Sequence, residues 1–203
     1  MTGALRRPPA FGARVSALQL QAVPEPGALA ALLAAQEGCA AEPDVWRAIP
    51  AASLHLTVQP VVDPDETASA TEAWRGAATP WLAGIARICA HSPAFYVALD
   101  RIVGLGDAIV ALGAPPPQLV VLRRQLVREL ASQSRLVREL DIAHVTLFRR
   151  QPGPPAPAPS PVASAIRMPV SAVRLVEERV YPSLEVEVLQ TFVLGHAAGE
   201  DHG

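Results

Sequence analysis

Histidine and threonine stand two residues apart at two places in this chain, each time inside an apolar run. The first run is Ser53-Leu54-His55-Leu56-Thr57-Val58 and the second is Ile142-Ala143-His144-Val145-Thr146-Leu147. Random order of the same composition gives about 0.2 such pairs, so two in matching context are not a product of chance. In a strand, residues i and i+2 point to one face. His55, Thr57 and Gln59 then share a face, with Leu54, Leu56 and Val58 opposite. In the second run, His144, Thr146 and Phe148 share a face, with Ala143, Val145 and Leu147 opposite. Two such strands side by side line one cleft with two imidazoles and two hydroxyls. The imidazoles can act as acid and base, and the hydroxyls can donate hydrogen bonds to an anion.

The elements that must hold these strands can be read around them. Val15 to Val23 alternates as a strand, and the Ala/Leu-rich stretch from Ala28 to Glu37 reads as a helix stopped by Gly38. Asp63-Pro64-Asp65-Glu66 reads as a turn whose acidic cluster suits a helix start, and Pro80 as the first residue of a helix reaching His91. Phe95–Leu99 and Ala108–Leu112 read as strands around a hairpin turn at Gly104-Leu105-Gly106-Asp107. After Pro115–Pro117, Leu119, Leu122, Leu126 and Leu130 mark the buried side of a helix. Val170–Val180 and Leu184–Val193 read as the last strands, joined at Pro182-Ser183, with a tail at 196–203. The repeated order of elements gives an α+β fold class. The expected architecture is two pseudo-symmetric lobes of mainly antiparallel sheet, helices packed outside, facing across a central cleft with one His-x-Thr from each. One domain, 1–203, with a core at about 14–195, accommodates this. Gln151–Pro161 is proline-rich and reads as a stiff exposed loop, with a rim or lid on the cleft or a docking segment as alternatives.

His55-Leu56-Thr57-Val58 and His144-Val145-Thr146-Leu147, with Arg149 following and Trp46-Arg47-Ala48-Ile49-Pro50 preceding, resemble the two-histidine (2H) phosphoesterase superfamily. Within it, the chain is most similar to the 2'-5' RNA ligase-like group of RNA 2',3'-cyclic phosphodiesterases, over about Arg14 to Gly195. The resemblance implies His55 and His144 as catalytic residues. It implies that His55 protonates the 3'-oxygen, leaving a 2'-phosphate, while His144 activates water. Thr57 and Thr146 would bind the phosphate. Arg149 is a further phosphate-binding candidate, but strict alternation puts it opposite His144, so it needs a strand end or a bulge to reach the cleft. Phe148 is a weak base-stacking candidate for which core packing is the preferred reading, and Trp46 and Tyr181 are weaker candidates for the same role.

Opening a 2',3'-cyclic phosphate needs a proton taken from water, a proton given to the leaving oxygen and stabilisation of equatorial charge. Two imidazoles and two hydroxyls supply all three, so no metal and no other cofactor is expected. No Cys-x-x-Cys, His-x-x-x-His or glycine-rich phosphate loop accompanies the motifs, and His91, His196 and His202 read as structural or tail residues. Half the residues are hydrophobic, 18% are charged and the net charge is −2, which fits a globular protein and not a nonspecific nucleic-acid binder. The expected partner is an RNA 3' end or a small cyclic nucleotide. Two cysteines, no apolar leader and no 18-residue apolar run give a cytoplasmic monomer off the membrane as the expectation. 2'-5' RNA ligation and non-catalytic nucleotide or RNA binding are the alternative functions.

Overall fold

The computed structural model describes residues 9–39, 41–65, 70–132, 140–153 and 160–195. Among the described residues, nine strands and three α-helices follow in chain order as β1 (Arg14–Ala22), α1 (Pro26–Gly38), β2 (Trp46–Ala48), β3 (Leu56–Asp65), α2 (Ala70–His91), β4 (Phe95–Leu105), β5 (Ala108–Gly113), α3 (Pro117–Ser132), β6 (Ala143–Arg150), β7 (Val162–Val170), β8 (Ala172–Val180) and β9 (Glu185–Val193). The strands form one sheet in the order β7-β4-β5-β6-β3-β1-β8-β9, with β2 also on β6, and every ladder between them is antiparallel. The order is symmetric about its middle. β9-β8-β1-β3 forms one lobe and β6-β5-β4-β7 the other, and the junction is the single ladder pair Leu56–Val145. This is the α+β, two-lobed arrangement expected, with both His-x-Thr tripeptides at the centre.

The helices cover the apolar face. α1 packs on β6 and β7, α3 on β3, and α2 on β1, β9 and α3. Leu119, Leu122, Leu126 and Leu130 are all fully buried, so the helical stripe read from the sequence is the one used. Among the described residues no helix is long and apolar enough to cross a membrane. Cys39 and Cys89 are unpaired thiols.

Four expectations about elements need correction. β2 and β7 were not expected. β3 runs through the 63–65 segment instead of turning there. Beyond Leu56 its ladder is to β1 alone, so Pro60 and Pro64 sit where one side of the backbone has no ladder to break. α2 starts at Ala70, ten residues before Pro80, because the 70–79 stretch is itself rich in helix-forming alanine. The tail at 196–203 and positions 154–159 of the proline-rich segment lie outside the described residues.

Arg123 of α3 joins the two motif strands. It is only 2% exposed. Its Nε donates to the Val58 carbonyl at 2.8 Å and its Nη2 to Thr57 at 3.0 Å, both on β3. Its Nη1 donates to Leu140 at 3.1 Å and Ile142 at 2.8 Å, on the segment entering β6. Burial lowers the guanidinium to about 10, partly offset by Asp141, so it stays charged at neutral pH. A buried charge is tolerated when its donors are used, and removal of one partner leaves the others exposed to a large penalty. Arg123→Met should therefore lower the unfolding free energy in urea by about 3 kcal/mol or more, because several buried carbonyls lose their donor. Arg123→Lys should recover only part, since one ammonium cannot reach both strands. A loss under about 1 kcal/mol in Arg123→Met would show that the strands are held without it.

Candidate active site

Burial alternates along both motifs. Leu54, Leu56 and Val58 on one strand and Ala143, Val145 and Leu147 on the other are no more than 1% exposed, while His55, Thr57, His144 and Thr146 are half-buried. The β3–β6 ladder is the single pair Leu56–Val145, the residue between His and Thr in each motif, so the two tripeptides are centred on the same point of the sheet. The four polar groups thus occupy two neighbouring rows on the face away from the helices.

His55 precedes β3, just after a 3-10 turn at Ala51–Ser53. Its Nδ1 lies 2.8 Å from the Ser53 carbonyl, which can only accept, so Nδ1 carries the proton and Nε2 is left for the cleft. Burial pushes the His55 pKa down to about 4. The Ser53 bond opposes the shift, and the positive charges of Arg174 and Arg149 reinforce it.

Both motifs are followed by a bulge. β1 pairs Leu20 with Gln59 and Gln21 with Thr57, so Val58 is an extra residue on β3. β5 pairs Ile109 with Phe148 and Val110 with Thr146, so Leu147 is an extra residue on β6. A bulge breaks alternation. Gln59, expected beside His55 and Thr57, is turned inward, fully buried opposite Leu20. Phe148, expected on the His144 face, is 7% exposed and packed in the core, so it offers no stacking surface. Trp46 is also in the core, and Tyr181 is buried with the Arg149 guanidinium 5.2 Å from its ring centre. The same bulge frees Arg149 from the face that alternation assigned it. It acts electrostatically on His55, Glu178 and Tyr181.

The first lobe adds a polar network that was not anticipated. Thr57 Oγ1 donates to Gln19 Oε1 at 3.2 Å. Gln19 Nε2 donates to Ser183 Oγ at 3.1 Å and Glu178 Oε2 at 3.3 Å, and Gln21 Nε2 to Ser183 Oγ at 3.0 Å. Glu178 also accepts from the Ser183 backbone N–H, and from its hydroxyl at 3.2 Å. These two bonds hold Ser183 in the left-handed region, at φ 54°. Burial raises the Glu178 pKa, while the Ser183 bonds and Arg149 oppose the rise. Gln19 and Gln21 are spaced i, i+2 in an apolar strand, the same signal that marked the histidines. Arg174 and Glu178 are four apart on β8 and therefore on one face, but nothing local ties them to the motifs.

His91 Nδ1 lies 2.7 Å from the Arg87 carbonyl, to which it donates at the end of α2. His196 and His202 lie outside the described residues. Among the described residues no three His, Cys, Asp or Glu side chains gather as a metal-ligand set.

No protein-family model matches the chain, and no curated protein does. Solved structures do. TT0787 of Thermus thermophilus superposes with a TM-score of 0.68 at 22% identity, covering 89% of this chain and 98% of that one. E. coli LigT complexed with 3'-AMP gives a TM-score of 0.64 at 17% identity, with 90% and 99% covered. A structure described as a phosphoesterase gives 0.65 at 17% identity, with 90% and 99% covered. The chain therefore has the LigT-like fold, in an α+β arrangement.

Proposed function

We propose that this chain is a metal-independent phosphodiesterase that hydrolyses 2',3'-cyclic phosphates, at RNA ends or on small cyclic nucleotides, to 2'-phosphates. The observation that carries the proposal is the meeting of both His-x-Thr tripeptides on one face of the two central strands, joined at Leu56–Val145. The ligands of E. coli LigT support a nucleotide-like substrate, since that protein has been solved with 3'-AMP, ATP and NADP+.

The phosphorus sits between the two imidazoles. Water attacks it as one imidazole takes the water proton, and the bond from phosphorus to the 3'-oxygen breaks as the other imidazole protonates that oxygen. Thr57 and Thr146 hydroxyls and the Arg149 guanidinium stabilise charge on the equatorial oxygens. To do so, the Thr57 hydroxyl turns from Gln19, which it contacts in the free protein. His55 is desolvated and flanked by two guanidiniums, so it is neutral in the free protein at neutral pH. A neutral imidazole with its proton on Nδ1 has a free Nε2 lone pair. We therefore assign water activation to His55 and protonation of the leaving oxygen to His144, the reverse of what the family resemblance implies.

The test is hydrolysis of an RNA oligonucleotide ending in a 2',3'-cyclic phosphate, in EDTA, by wild type, His55→Ala and His144→Ala. Each substitution should lower kcat at least about a hundredfold, the scale for loss of a general acid or base, with a 2'-phosphate as the wild-type product. Undiminished turnover in either mutant would remove that histidine from the mechanism. The pH dependence separates the two roles. A base with a lowered pKa stays neutral down to about pH 4, so the acid limb of kcat/KM, which reports the free enzyme, should fall tenfold per unit only below about 4. An acid limb centred near the ordinary histidine value of about 6.5 would return water activation to His144.

A further inference from the structure

The threonines of the two motifs stand in related registers but meet different neighbours. Thr57 pairs with Gln21 on β1 and, three residues on, Pro60 pairs with Gln19. Thr146 pairs with Val110 on β5 and, three residues on, Arg149 pairs with Ala108. Two amides in the first lobe therefore correspond to a valine and an alanine in the second. The second lobe forms without them, so the frame does not account for their chemistry.

The direction of every bond around Gln19 is fixed from the far end of the network. The Ser183 backbone N–H can only donate, so Glu178 Oε1 accepts from it. The Ser183 hydroxyl has one proton, which goes to the same carboxylate. Its two lone pairs then receive Gln19 Nε2 at 3.1 Å and Gln21 Nε2 at 3.0 Å. Gln19 Nε2 also donates to Glu178 Oε2 at 3.3 Å. With its amide protons used, Gln19 turns its carbonyl oxygen toward Thr57. That oxygen can only accept, so it draws the single proton of the Thr57 hydroxyl, at 3.2 Å. Gln21, Glu178 and Ser183 are no more than 4% exposed, so water does not replace these partners and let the amide flip.

A phosphoryl oxygen and Gln19 therefore compete for one proton. A hydrogen bond to a charged oxygen is about twice as strong as one between neutral groups, and 3.2 Å is long for a hydroxyl donor. The phosphate takes the proton while it is in the cleft, and Gln19 recovers it as the phosphate leaves. Affinity for the anion is lowered by the worth of the Gln19 bond. The effect bears most on a phosphomonoester product, whose second negative charge strengthens each bond the site makes to it.

We propose that Gln19 is a positioning residue that acts through the Thr57 hydroxyl to speed release of the phosphomonoester product, with Ser183 and Glu178 holding its amide in the competing orientation. The inference rests on the phosphodiesterase reading and adds how the product leaves.

Calorimetric titration with adenosine 2'-phosphate tests it, in wild type, Gln19→Met and Glu178→Gln, and in the same three with Thr57→Val added. Thermal unfolding checks that each protein is folded. Gln19→Met should bind the nucleotide about threefold to tenfold more tightly than wild type, the net worth of one hydrogen bond. Glu178→Gln should act in the same direction. Its amide N–H can donate to Gln19 Oε1, so the Gln19 amide can turn, give an N–H to Thr57 and free the hydroxyl proton. With Thr57→Val, either change should alter affinity less than about twofold, as expected once the coupled group is gone. That comparison also separates the reversed bonds from the lost charge of Glu178, which acts with or without the hydroxyl. In turnover of adenosine 2',3'-cyclic phosphate, the inhibition constant of adenosine 2'-phosphate should fall in step. A network that only supports the cleft gives the opposite sign. Unchanged or weaker binding in Gln19→Met, or equal tightening with Thr57→Val present, would overturn the proposal. If Gln19→Met does not fold, the Glu178→Gln comparison decides by the same criteria. The expected binding pattern without turnover would support the competition for the Thr57 proton and count against the phosphodiesterase reading. Absence of binding to wild type and Gln19→Met alike would overturn the proposal.

Discussion

One buried guanidinium sets the spacing of the two strands on which everything else depends. Between β3 and β6 the ladder consists of a single pair, too little by itself to fix the two strands that carry the motifs. Arg123 supplies the missing constraint from below, with two carbonyls of β3 and two of the segment entering β6 on one rigid fork. Pairing the strands along their full length would have closed the cleft. Holding them by their carbonyls from the helix side leaves the opposite face open, with both histidines on it. The apolar residues between His and Thr, Leu56 and Val145, are the contact about which the lobes are related, and both are fully buried.

The bulges give the pseudo-symmetric frame its asymmetric chemistry. Val58 and Leu147 occupy the same place after their threonines, and each reverses the faces of the residues that follow. In the first lobe this hides Gln59. In the second it hides Phe148 and releases Arg149. With Arg174 and the Gln19–Glu178–Ser183 network also on the first-lobe side, the positive charge gathers around His55. His55 thus stands among charged groups that the pseudo-symmetric frame alone does not supply.

The centre of the fold was legible because its signal is local. Alternation through His55–Val58 and His144–Leu147, and the leucine stripe of α3, each follow from a period that burial enforces. What escaped was the consequence of pairing. A bulge is a property of two strands, so the reversal at Gln59 and Phe148 is invisible in either segment alone. For Arg149 the need for one could be stated but not its presence. Arg123 looks like any polar residue of an amphipathic helix until its stripe is seen to cover the carbonyls of the motif strands. Arg174 comes within electrostatic reach of His55 only because β8 lies beside β1. β7 follows a proline-rich segment and begins Val162-Ala163-Ser164, with little alternation to mark it. The start of α2 was obscured by Pro80, which sits within the helix instead of opening it.

In the proposed reaction both histidines act on one phosphorus from opposite sides. A crystal structure with a nucleoside–vanadate complex tests it most directly, because vanadate adopts the five-coordinate geometry of the attacked phosphate. Vanadium should lie in the cleft with the Nε2 atoms of His55 and His144 about 3 Å from opposite apical oxygens, and the hydroxyls of Thr57 and Thr146 on equatorial ones. Vanadate bound away from the two motifs, or in contact with only one of the histidines, would contradict it.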